Sequence, residues 1–420
     1  MLAILAAVLL AASLLDDYQG WRFLLLALAA FGWVCRRWAG ALAAGLDLRR
    51  ELRFGWAQVG DRLEERFTLE NHAAFPALWV ELQDFSTLPG YHASLASGID
   101  PKTTTHWRSN GQCLQRGVFQ LGPAVLRSAD PFGLFRVEIE LPGQAVLTVT
   151  PPVIPLPQIE VAAGGRAAQG RPRPGAVERT VSASGVRPYT PGDSPRWLHW
   201  RTTARMDSPY VRTFESMPSG DWWIVLDLDE TCQAGTAPRS TEEHAVILAA
   251  SLADRGLRLG RAVGLAASGQ PLAWLPPHGG DTQRWAILRS LAGLHPDRRR
   301  LEDLLGALRH DLSASASLVI ITARGDSAWL PALLPLQWKG CTPSLLLLDR
   351  QAFGAGESAI PLETELGQRG LRCYRITPDL LDRPEARPGR LGQWEWRITP
   401  TGRAIPVRSA SENDWRRLAP

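Results

Sequence analysis

Two carboxylates and a hydroxyl stand where one strongly apolar stretch of the sequence ends. Trp222–Leu228 has the composition of a buried strand, and Asp227, Asp229 and Thr231 alternate along its carboxyl end. In open α/β sheets, ligands bind outside the carboxyl ends of the strands. Hard oxygen donors of this kind are the ligands that Mg²⁺ prefers. The spacing therefore predicts either a degenerate Mg²⁺ site at these three residues or a site that has lost its metal and holds no cofactor.

The same residues resemble the metal-ion-dependent adhesion site of von Willebrand factor A domains, whose motif is Asp-x-Ser-x-Ser. Asp227 matches the leading Asp, and Thr231 replaces the last Ser. Asp229 stands where the first Ser belongs and adds a negative charge. Thr322 and Asp326 follow a later strand, but they do not form the Thr-Asp-Gly sequence of that family. The resemblance implies a von Willebrand A-like domain with an altered metal site.

An enzymatic alternative follows from the same spacing. The Asp-x-Asp-x-Thr motif of haloacid-dehalogenase-type phosphatases fits Asp227, Asp229 and Thr231 literally. That class also needs a downstream lysine, and lysine occurs only at positions 102 and 339. A Mg²⁺-dependent phosphohydrolase that uses Asp227 and Asp229 therefore stays as the alternative, behind a non-enzymatic function.

A second group of polar and aromatic side chains lies in the Arg-rich run 185–205. The run contains a Pro-Gly turn, and Asp193 or Ser194 is placed to cap a helix. Asp193 is also placed to accept charge-assisted bonds from Arg187 or Arg196. Arg201 and Arg205 lie four residues apart, on one face of that helix. The run has no activated nucleophile, and His199 lacks the matched partner that a general base needs. It therefore indicates a structural or partner-binding role, with no catalytic residue expected.

This run resembles the signature of bacterial domain-of-unknown-function 58 proteins, Arg-x-Tyr-x-Pro-Gly-Asp-x-x-Arg-x-x-x-Trp-x-x-x-Ala-Arg. The resemblance extends to the apolar amino end, to the Asp-Pro-Phe-Gly-Leu-Phe sequence at 130–135 and to the strand at 209–215. His199 stands where the family often has an Asp or another polar residue. The binding residues that it implies, with two neighbours, are Arg187, Tyr189, Pro191, Gly192, Asp193, Arg196, His199, Trp200, Arg201, Ala204 and Arg205.

The resemblance implies partners rather than a reaction. Members of the family are commonly paired with MoxR-type AAA+ ATPases and with transglutaminase-like membrane proteins, and no enzymatic activity is established for them as a class. The expected function is therefore a membrane-anchored scaffold or adaptor. It would bind such an ATPase through the Arg-rich motif and the von Willebrand A-like domain.

Two apolar runs at the amino end, Met1–Leu15 and Trp21–Cys35, predict a transmembrane hairpin over residues 1–38. Each has about 15 residues, short of the roughly 20 that span a bilayer, but interfacial aromatic residues extend both ends. A signal peptide or a single anchor is the alternative. The positive-inside rule places the soluble domains in the cytoplasm, at the bacterial inner membrane, with lipid around the hairpin. The arginines that indicate this orientation are Arg36, Arg37, Arg49 and Arg50.

Periodicity predicts a multidomain chain beyond the hairpin. Alternating residues and regular turn signals over 51–150 predict an antiparallel β-sandwich. A Pro/Gly/Arg-rich linker (151–184) and the signature segment (185–220) follow. Apolar strands alternate with helices over 221–380, which predicts a mainly parallel α/β domain of Rossmann type, von Willebrand A-like. An irregular tail is expected over 381–420.

Composition argues against several other classes of protein. Hydrophobic residues make up 45% of the chain and charged residues 21%, which is typical of globular proteins. The net charge of only +4 does not suit a nucleic-acid coat, so nucleic acid is not expected as a partner. The five cysteines are far apart, which argues against a disulfide framework or a structural zinc site and suggests a reducing compartment.

Overall fold

The computed structural model shows a multidomain chain with two compact units. Unit 1 comprises Met1–Pro152 and Pro388–Pro420, and unit 2 comprises Val153–Arg387. An apolar amino-terminal helix and several mixed sheets with helices make up this architecture. The structure describes residues 2–16, 18–156, 158–162, 183–189, 198–206, 208–214, 221–313, 316–381, 395–398, 404–408 and 416–417.

Unit 1 begins with two apolar helices, α1 (Leu2–Leu15) and α2 (Gln19–Gly45). Among the described residues, only α2 is long and apolar enough to cross a membrane. The predicted transmembrane hairpin is therefore not shown, and it stays a prediction. Helix α2 also continues past the expected boundary at residue 38. Its last turns bury Cys35, Ala39 and Leu42, whereas most of its earlier side chains are exposed.

The strands of unit 1 up to residue 150 show the predicted alternation; in β3, for example, every second residue is buried. Two of the sheets that they form are antiparallel, and a third, with order β2-β10-β7, pairs β10 in parallel with β2. The ten strands are β1 (Leu46–Leu52), β2 (Trp56–Gln58), β3 (Arg62–Asn71), β4 (Ala77–Asp84), β5 (Leu95–Ile99), β6 (Thr104–Gln112), β7 (Gly117–Leu121), β8 (Ala124–Ala129), β9 (Arg136–Leu141) and β10 (Ala145–Thr150).

One hydrophobic core joins these elements. It includes Leu42 of α2 together with Leu48, Phe67, Leu126 and Leu147, which come from all three sheets. Strands β1, β3 and β6 are neighbours in one antiparallel sheet, and β5, β4, β8 and β9 form the other. The strands fit the antiparallel prediction, while their arrangement as a β-sandwich stays a prediction.

A buried ionic cluster lies in the same unit. The Arg50 guanidinium donates to Glu65 Oε2 and to Asp84 Oδ1, both at 2.7 Å, and the Tyr91 hydroxyl also donates to Glu65. The side chain of Arg50 is 8% exposed. Arg50, which the positive-inside argument counts as a cytoplasmic surface charge, is thus an interior cation with two carboxylate partners. Its position follows from the alternation of β1, which also buries Leu48 and Leu52.

The signature segment contributes two strands and a helix to unit 2, β11 (Ala183–Pro188), α3 (Trp200–Met206) and β12 (Tyr210–Phe214). Strands β11 and β12 pair antiparallel in a two-stranded sheet. This sheet is separate from the main sheet of unit 2.

The main sheet of unit 2 has six strands in the order β17-β16-β13-β18-β19-β20, and all neighbours are parallel except β16 and β17. The mainly parallel sheet agrees with the prediction, while the antiparallel edge strand β17 was not predicted. The strands, with a two-stranded turn (β14 and β15), are β13 (Trp222–Leu226), β14 (Gly235–Thr236), β15 (Arg239–Ser240), β16 (Val263–Ala267), β17 (Ala273–His278), β18 (Ser317–Thr322), β19 (Thr342–Leu348) and β20 (Arg372–Ile376).

Helices cover both faces of this sheet. Ile224 and Leu226 pack in one core with α4 and α5, whereas Trp223 and Val225 pack in a second core with α6, α7 and α8. Burial on both faces explains why β13 is a continuous apolar run. The helices are α4 (Thr241–Arg258), α5 (Gly280–Ala292), α6 (Leu301–Leu308), α7 (Leu330–Trp338) and α8 (Ile360–Gln368).

Three short strands near the carboxyl end lie in the segment that the sequence predicts to be irregular. They belong to unit 1: β21 (Glu395–Ile398) pairs with β22 (Ala404–Arg408), and β23 (Arg416–Arg417) adds to the edge of β1.

Because α2 supplies core residues, truncating its buried part must weaken unit 1. We expect Leu42→Ala to lower the free energy of unfolding of unit 1 by about 2–5 kcal/mol, the usual cost of a cavity at a buried leucine. Leu42 is fully buried, and Leu26, which is 67% exposed on the same helix, gives the matched control Leu26→Ala. Urea unfolding in detergent measures the free energy of unfolding of both variants. An equal effect of the two would contradict the packing of α2 into the core of unit 1.

Candidate functional site

The candidate site lies where the order of the main sheet reverses. Strand β13 has its successor β16 on one side and the later strand β18 on the other. In doubly wound sheets, this reversal opens a crevice at the carboxyl ends of the strands. Asp227 follows β13 in this place, and Thr322 ends β18 beside it. The structure thus brings the predicted Asp227 together with Thr322 across 95 residues of sequence.

Asp227 is buried and held on both carboxylate oxygens. The Thr322 hydroxyl donates to Oδ2 at 2.6 Å, and the backbone N–H of Asp229 donates to Oδ1 at 3.2 Å. The hydroxyl of Ser268, just after β16, lies 3.4 Å from Oδ1. Burial raises the pKa of the Asp227 carboxyl, against the opposing hydrogen bond from Thr322. Asp227 therefore ties together the ends of three neighbouring strands.

Asp229 caps the turn that follows. Its Oδ1 accepts from the backbone N–H of Thr231 at 3.0 Å and from the Thr231 hydroxyl at 2.8 Å. Its Oδ2 accepts from Arg324 Nη2 at 2.5 Å. Burial acts to raise the pKa of Asp229, but the bonds from Thr231 and Arg324 outweigh it and hold the pKa below its usual range. The fold therefore favours the ionised form of Asp229, and Thr231 and Arg324 already bind its two carboxylate oxygens.

Arg324 is the functional residue that sequence reasoning missed. Its side chain is 10% exposed, and its Nε lies 3.7 Å from Asp227 Oδ2. Its Nη1 lies 3.7 Å from carboxylate oxygens of both Glu302 and Asp326. One guanidinium thus faces four carboxylates at the carboxyl edge of the sheet. The sequence feature that could have identified Arg324 is its position two residues after β18, since the carboxyl ends of parallel strands meet at one edge of the sheet.

The donor types at the site suit a hard cation, but their present arrangement does not. The guanidinium already binds Asp229 and lies against Asp227, and arginine stays protonated at any physiological pH. A divalent cation between the two carboxylates would meet this fixed positive charge at close range. Within the described part of the chain, no group of three or more His, Cys, Asp or Glu residues has metal-site geometry. The predicted metal role of Asp227, Asp229 and Thr231 stays a prediction.

The signature segment forms its own small structure. The backbone N–H of Tyr189 donates to the Pro209 carbonyl at 2.8 Å, which extends the pairing of β11 with β12. Arg187 lies in β11 opposite Val211. The expected turn and helix start fall outside the described residues, as do the predicted binding residues Pro191, Gly192, Asp193 and Arg196.

His199 acts as the cap of α3. Its Nδ1 accepts the backbone N–H of Thr202 at 3.3 Å and lies 2.8 Å from the Thr202 hydroxyl. Its own backbone N–H donates to the Tyr210 carbonyl at 2.8 Å. A side-chain acceptor at this position satisfies an amide that the helix itself leaves unpaired. His199 therefore has a structural role, and its helix begins at Trp200.

The predicted binding residues on helix α3 are exposed to solvent. None of its residues is buried, and Trp200 is 71% and Met206 60% exposed. Arg201, Ala204 and Arg205 are exposed as well. The described part of the signature therefore forms an exposed surface of aromatic, apolar and cationic side chains, which we call the α3 surface.

The ion pair of Arg324 with Asp229 yields a stability prediction. We expect Arg324→Ala to lower the free energy of unfolding of unit 2 by about 3 kcal/mol, because it leaves two buried carboxylates without their cation. Arg298→Ala is the matched control, since Arg298 pairs with Glu230 at 2.6 Å but is 86% exposed. Urea unfolding monitored by circular dichroism measures both. A cost at Arg298 as large as that at Arg324 would show that burial of the pair is not what matters.

The pKa of Asp229 predicts a pH dependence. The folded-state pKa lies below the ordinary value of 3.8, so the fold favours the ionised form. This stabilisation is complete above about pH 4 and is lost as the pH falls through the folded pKa. Asp229→Asn should therefore cost most at neutral pH and progressively less below about pH 4. Asp227→Asn should show the opposite trend because the pKa of Asp227 is raised. Unfolding curves between neutral and acid pH test both signs.

Comparison with solved structures gives only low similarity. The complex of zinc 2-glycoprotein with prolactin inducible protein from human seminal plasma matches 24% of this chain and 92% of that chain, at 9% identity and a TM-score of 0.19. The CARDB domain of the PF1109 protein from Pyrococcus furiosus matches 25% and 89%, at 13% identity and a TM-score of 0.19. We infer no fold or function from scores this low.

Sequence comparison is more informative. The model of the family described as "Protein of unknown function DUF58" matches residues 185–336, which contain the signature, β13 and Arg324. The uncharacterized protein Rv1480 of Mycobacterium tuberculosis (strain H37Rv) is 31% identical over 249 residues, covering 54% of this chain and 74% of that protein. The uncharacterized protein Mb1516 of Mycobacterium bovis matches to the same extent. The chain belongs to the DUF58 family.

Proposed function

We propose that this protein is a non-enzymatic, membrane-anchored adaptor. Unit 1 holds it in the bacterial inner membrane, and unit 2, with its von Willebrand A-like domain, binds protein partners in the cytoplasm. The observation that carries the proposal is the α3 surface, an exposed helix whose solvent-facing residues include Trp200, Arg201 and Arg205.

The composition of the α3 surface suits protein binding. Tryptophan and arginine are the residues most enriched among the few that dominate binding energy at protein interfaces. Leaving a tryptophan 71% exposed forgoes the stabilisation that its burial would give. Arg201 and Arg205 lie on one face of the helix and would recognise carboxylates in bidentate fashion. The complementary surface is therefore acidic, with an apolar pocket for Trp200.

The site at the carboxyl edge of the sheet supports a non-enzymatic function. A phosphohydrolase would need Asp227 as a free nucleophile beside a divalent cation. Both oxygens of Asp227 instead have hydrogen-bond partners, and Arg324 is bound to Asp229. The side chains around this edge hold one another rather than a reacting group.

The two halves of α2 support an anchor rather than a removable signal sequence. The earlier half is apolar and exposed, as expected for contact with lipid. The later half places Ala39 and Leu42 in the core of unit 1. Cleavage after the apolar run would cut through the middle of α2, between the buried residues Cys35 and Ala39.

The partner that we propose is a MoxR-type AAA+ ATPase, with a transglutaminase-like membrane protein in the same assembly. The support is the family membership, since DUF58 proteins are commonly paired with both. The basic α3 surface adds a chemical requirement, because its partner must offer carboxylates. An ATPase that lacks an acidic patch would not fit.

Co-purification with the MoxR-type ATPase of the same genome tests the proposal. We expect Trp200→Ala and Arg205→Ala each to raise the Kd about tenfold or more, the cost of about 1.4 kcal/mol or more that marks an important interface residue. Arg289→Ala, an exposed arginine on α5, is the matched control and should leave the Kd unchanged.

Two outcomes would overturn the proposal. Equal binding by all three variants would remove the α3 surface as the binding site. Mg²⁺-dependent hydrolysis of phosphoesters that disappears in Asp227→Asn would establish the phosphohydrolase instead.

A further inference from the structure

The turn between β8 and β9 exposes an apolar tip. It contains the Asp-Pro-Phe-Gly-Leu-Phe sequence, and Phe132 is 66% and Leu134 37% exposed. Gly133 has a φ of +70°, which lets the chain reverse tightly between these two side chains. Clustered apolar side chains at the tip of a loop are costly in water, so they indicate a surface that meets an apolar phase.

This turn lies against the exposed part of α2. The rings of Phe132 and Phe31 meet edge to face, with their centroids 4.8 Å apart. Phe135 lines an open apolar groove of about 450 Å³ together with residues of α1 and α2 such as Leu10, Leu28 and Gly32. The turn is therefore continuous with the part of α2 that is apolar enough to cross a membrane.

Both segments change from apolar to basic shortly after the residues that are in contact. On α2 the exposed apolar run ends at Arg36, five residues or about 7.5 Å beyond Phe31. On the turn the apolar run ends at the exposed Arg136, directly after Phe135. Phe31 and Phe132 are in contact, and an exposed arginine follows this contact along each of the two segments. This is the order of side chains across the boundary between hydrocarbon and lipid headgroups.

The backbone of the turn is suited to a medium without water. The Asp130 carboxylate accepts the N–H groups of Phe132 at 3.0 Å and Phe135 at 2.6 Å. The N–H of Gly133 donates to the Asp130 carbonyl, and the N–H of Asp130 donates to the Phe135 carbonyl. Pro131 has no N–H to satisfy. Internal pairing of these four N–H groups reduces the cost of placing the loop in hydrocarbon.

We propose that the turn at 130–135 inserts into the lipid bilayer beside α2, with Phe132 and Leu134 in the hydrocarbon and Arg136 at the headgroups. The inference rests on the proposed membrane anchoring and adds a second contact with lipid, 111 residues or more after α2 begins at Gln19. Lipid is the occupant that the structure favours, since the tip is continuous with α2. Two contacts would fix the orientation of unit 1 at the membrane surface, which a single helix leaves free.

A fluorescent probe at the tip tests this in the full chain. The environment-sensitive nitrobenzoxadiazole label is attached to Phe132→Cys, or to Leu134→Cys as a second position, in a Cys373→Ser background because Cys373 is the one partly exposed native cysteine of the five. Vesicles of phosphatidylethanolamine and phosphatidylglycerol carry doxyl-labelled phosphatidylcholine as the quencher in the bilayer. Glu140→Cys is the matched control, because Glu140 is exposed on β9 and five residues, or about 17 Å, beyond Phe135.

We expect the labels at 132 and 134 to emit at shorter wavelength, to be quenched by the doxyl lipid and to lose quenching by aqueous iodide. The label at 140 should show the reverse. Flotation of the vesicles distinguishes failure of the membrane anchor from failure of the inserted turn. A chain that floats with the vesicles while iodide still quenches at 132 and 134 overturns this inference and leaves the anchor standing. A chain that does not float overturns the membrane anchoring and the inserted turn together.

Discussion

The carboxylates of Asp227 and Asp229 follow a strand that is buried on both faces, and their charge must be compensated where they stand. Asp227 lies at the reversal of strand order, and both side chains are almost without solvent contact. A carboxylate in that position needs a cation or several hydrogen bonds, because desolvation is costly. The guanidinium of Arg324 supplies the cation from the neighbouring strand end. The network also binds β13 to β16 and β18 through Ser268 and Thr322. The arrangement of the loops at this edge therefore depends on the pairing of Arg324 with Asp227 and Asp229.

The main sheet was predictable because a strand that is buried on both faces has a continuous apolar sequence. The four central strands, β13, β16, β18 and β19, are almost entirely buried and mostly apolar, and helical patterns separate them. The parallel edge strand β20 contains two arginines and is only partly buried. Strand β17 has no such apolar run, since Ala273–His278 contains two prolines and alternates weakly between buried and exposed positions. It lies at an edge and is antiparallel, which is where proline is tolerated. Its absence from the prediction follows from its edge position.

The candidate site was half predictable for a different reason. Asp227, Asp229 and Thr231 could be found because their spacing is local. Arg324 is 95 residues from Asp229, and only the register of β13 with β18 brings them together. Arg50 shows the same limit: its sequence neighbourhood indicates a surface charge, but the alternation of β1 turns it inward to Glu65. Long-range ion pairs cannot be inferred from composition or spacing in a single chain.

The scarcity of lysine acquires a physical meaning from these pairs. Arg50 binds Glu65 and Asp84 at once, and Arg324 binds Asp229 while it faces Asp227. A planar guanidinium with five donors can serve two carboxylates in fixed geometry, whereas an ammonium is a compact point charge that loses more hydration on burial. Lysine in either place would leave a carboxylate oxygen short of a donor. Each unit of this protein therefore depends on an arginine at its interior, and a chain built on such pairs has reason to use arginine wherever a cation must be buried.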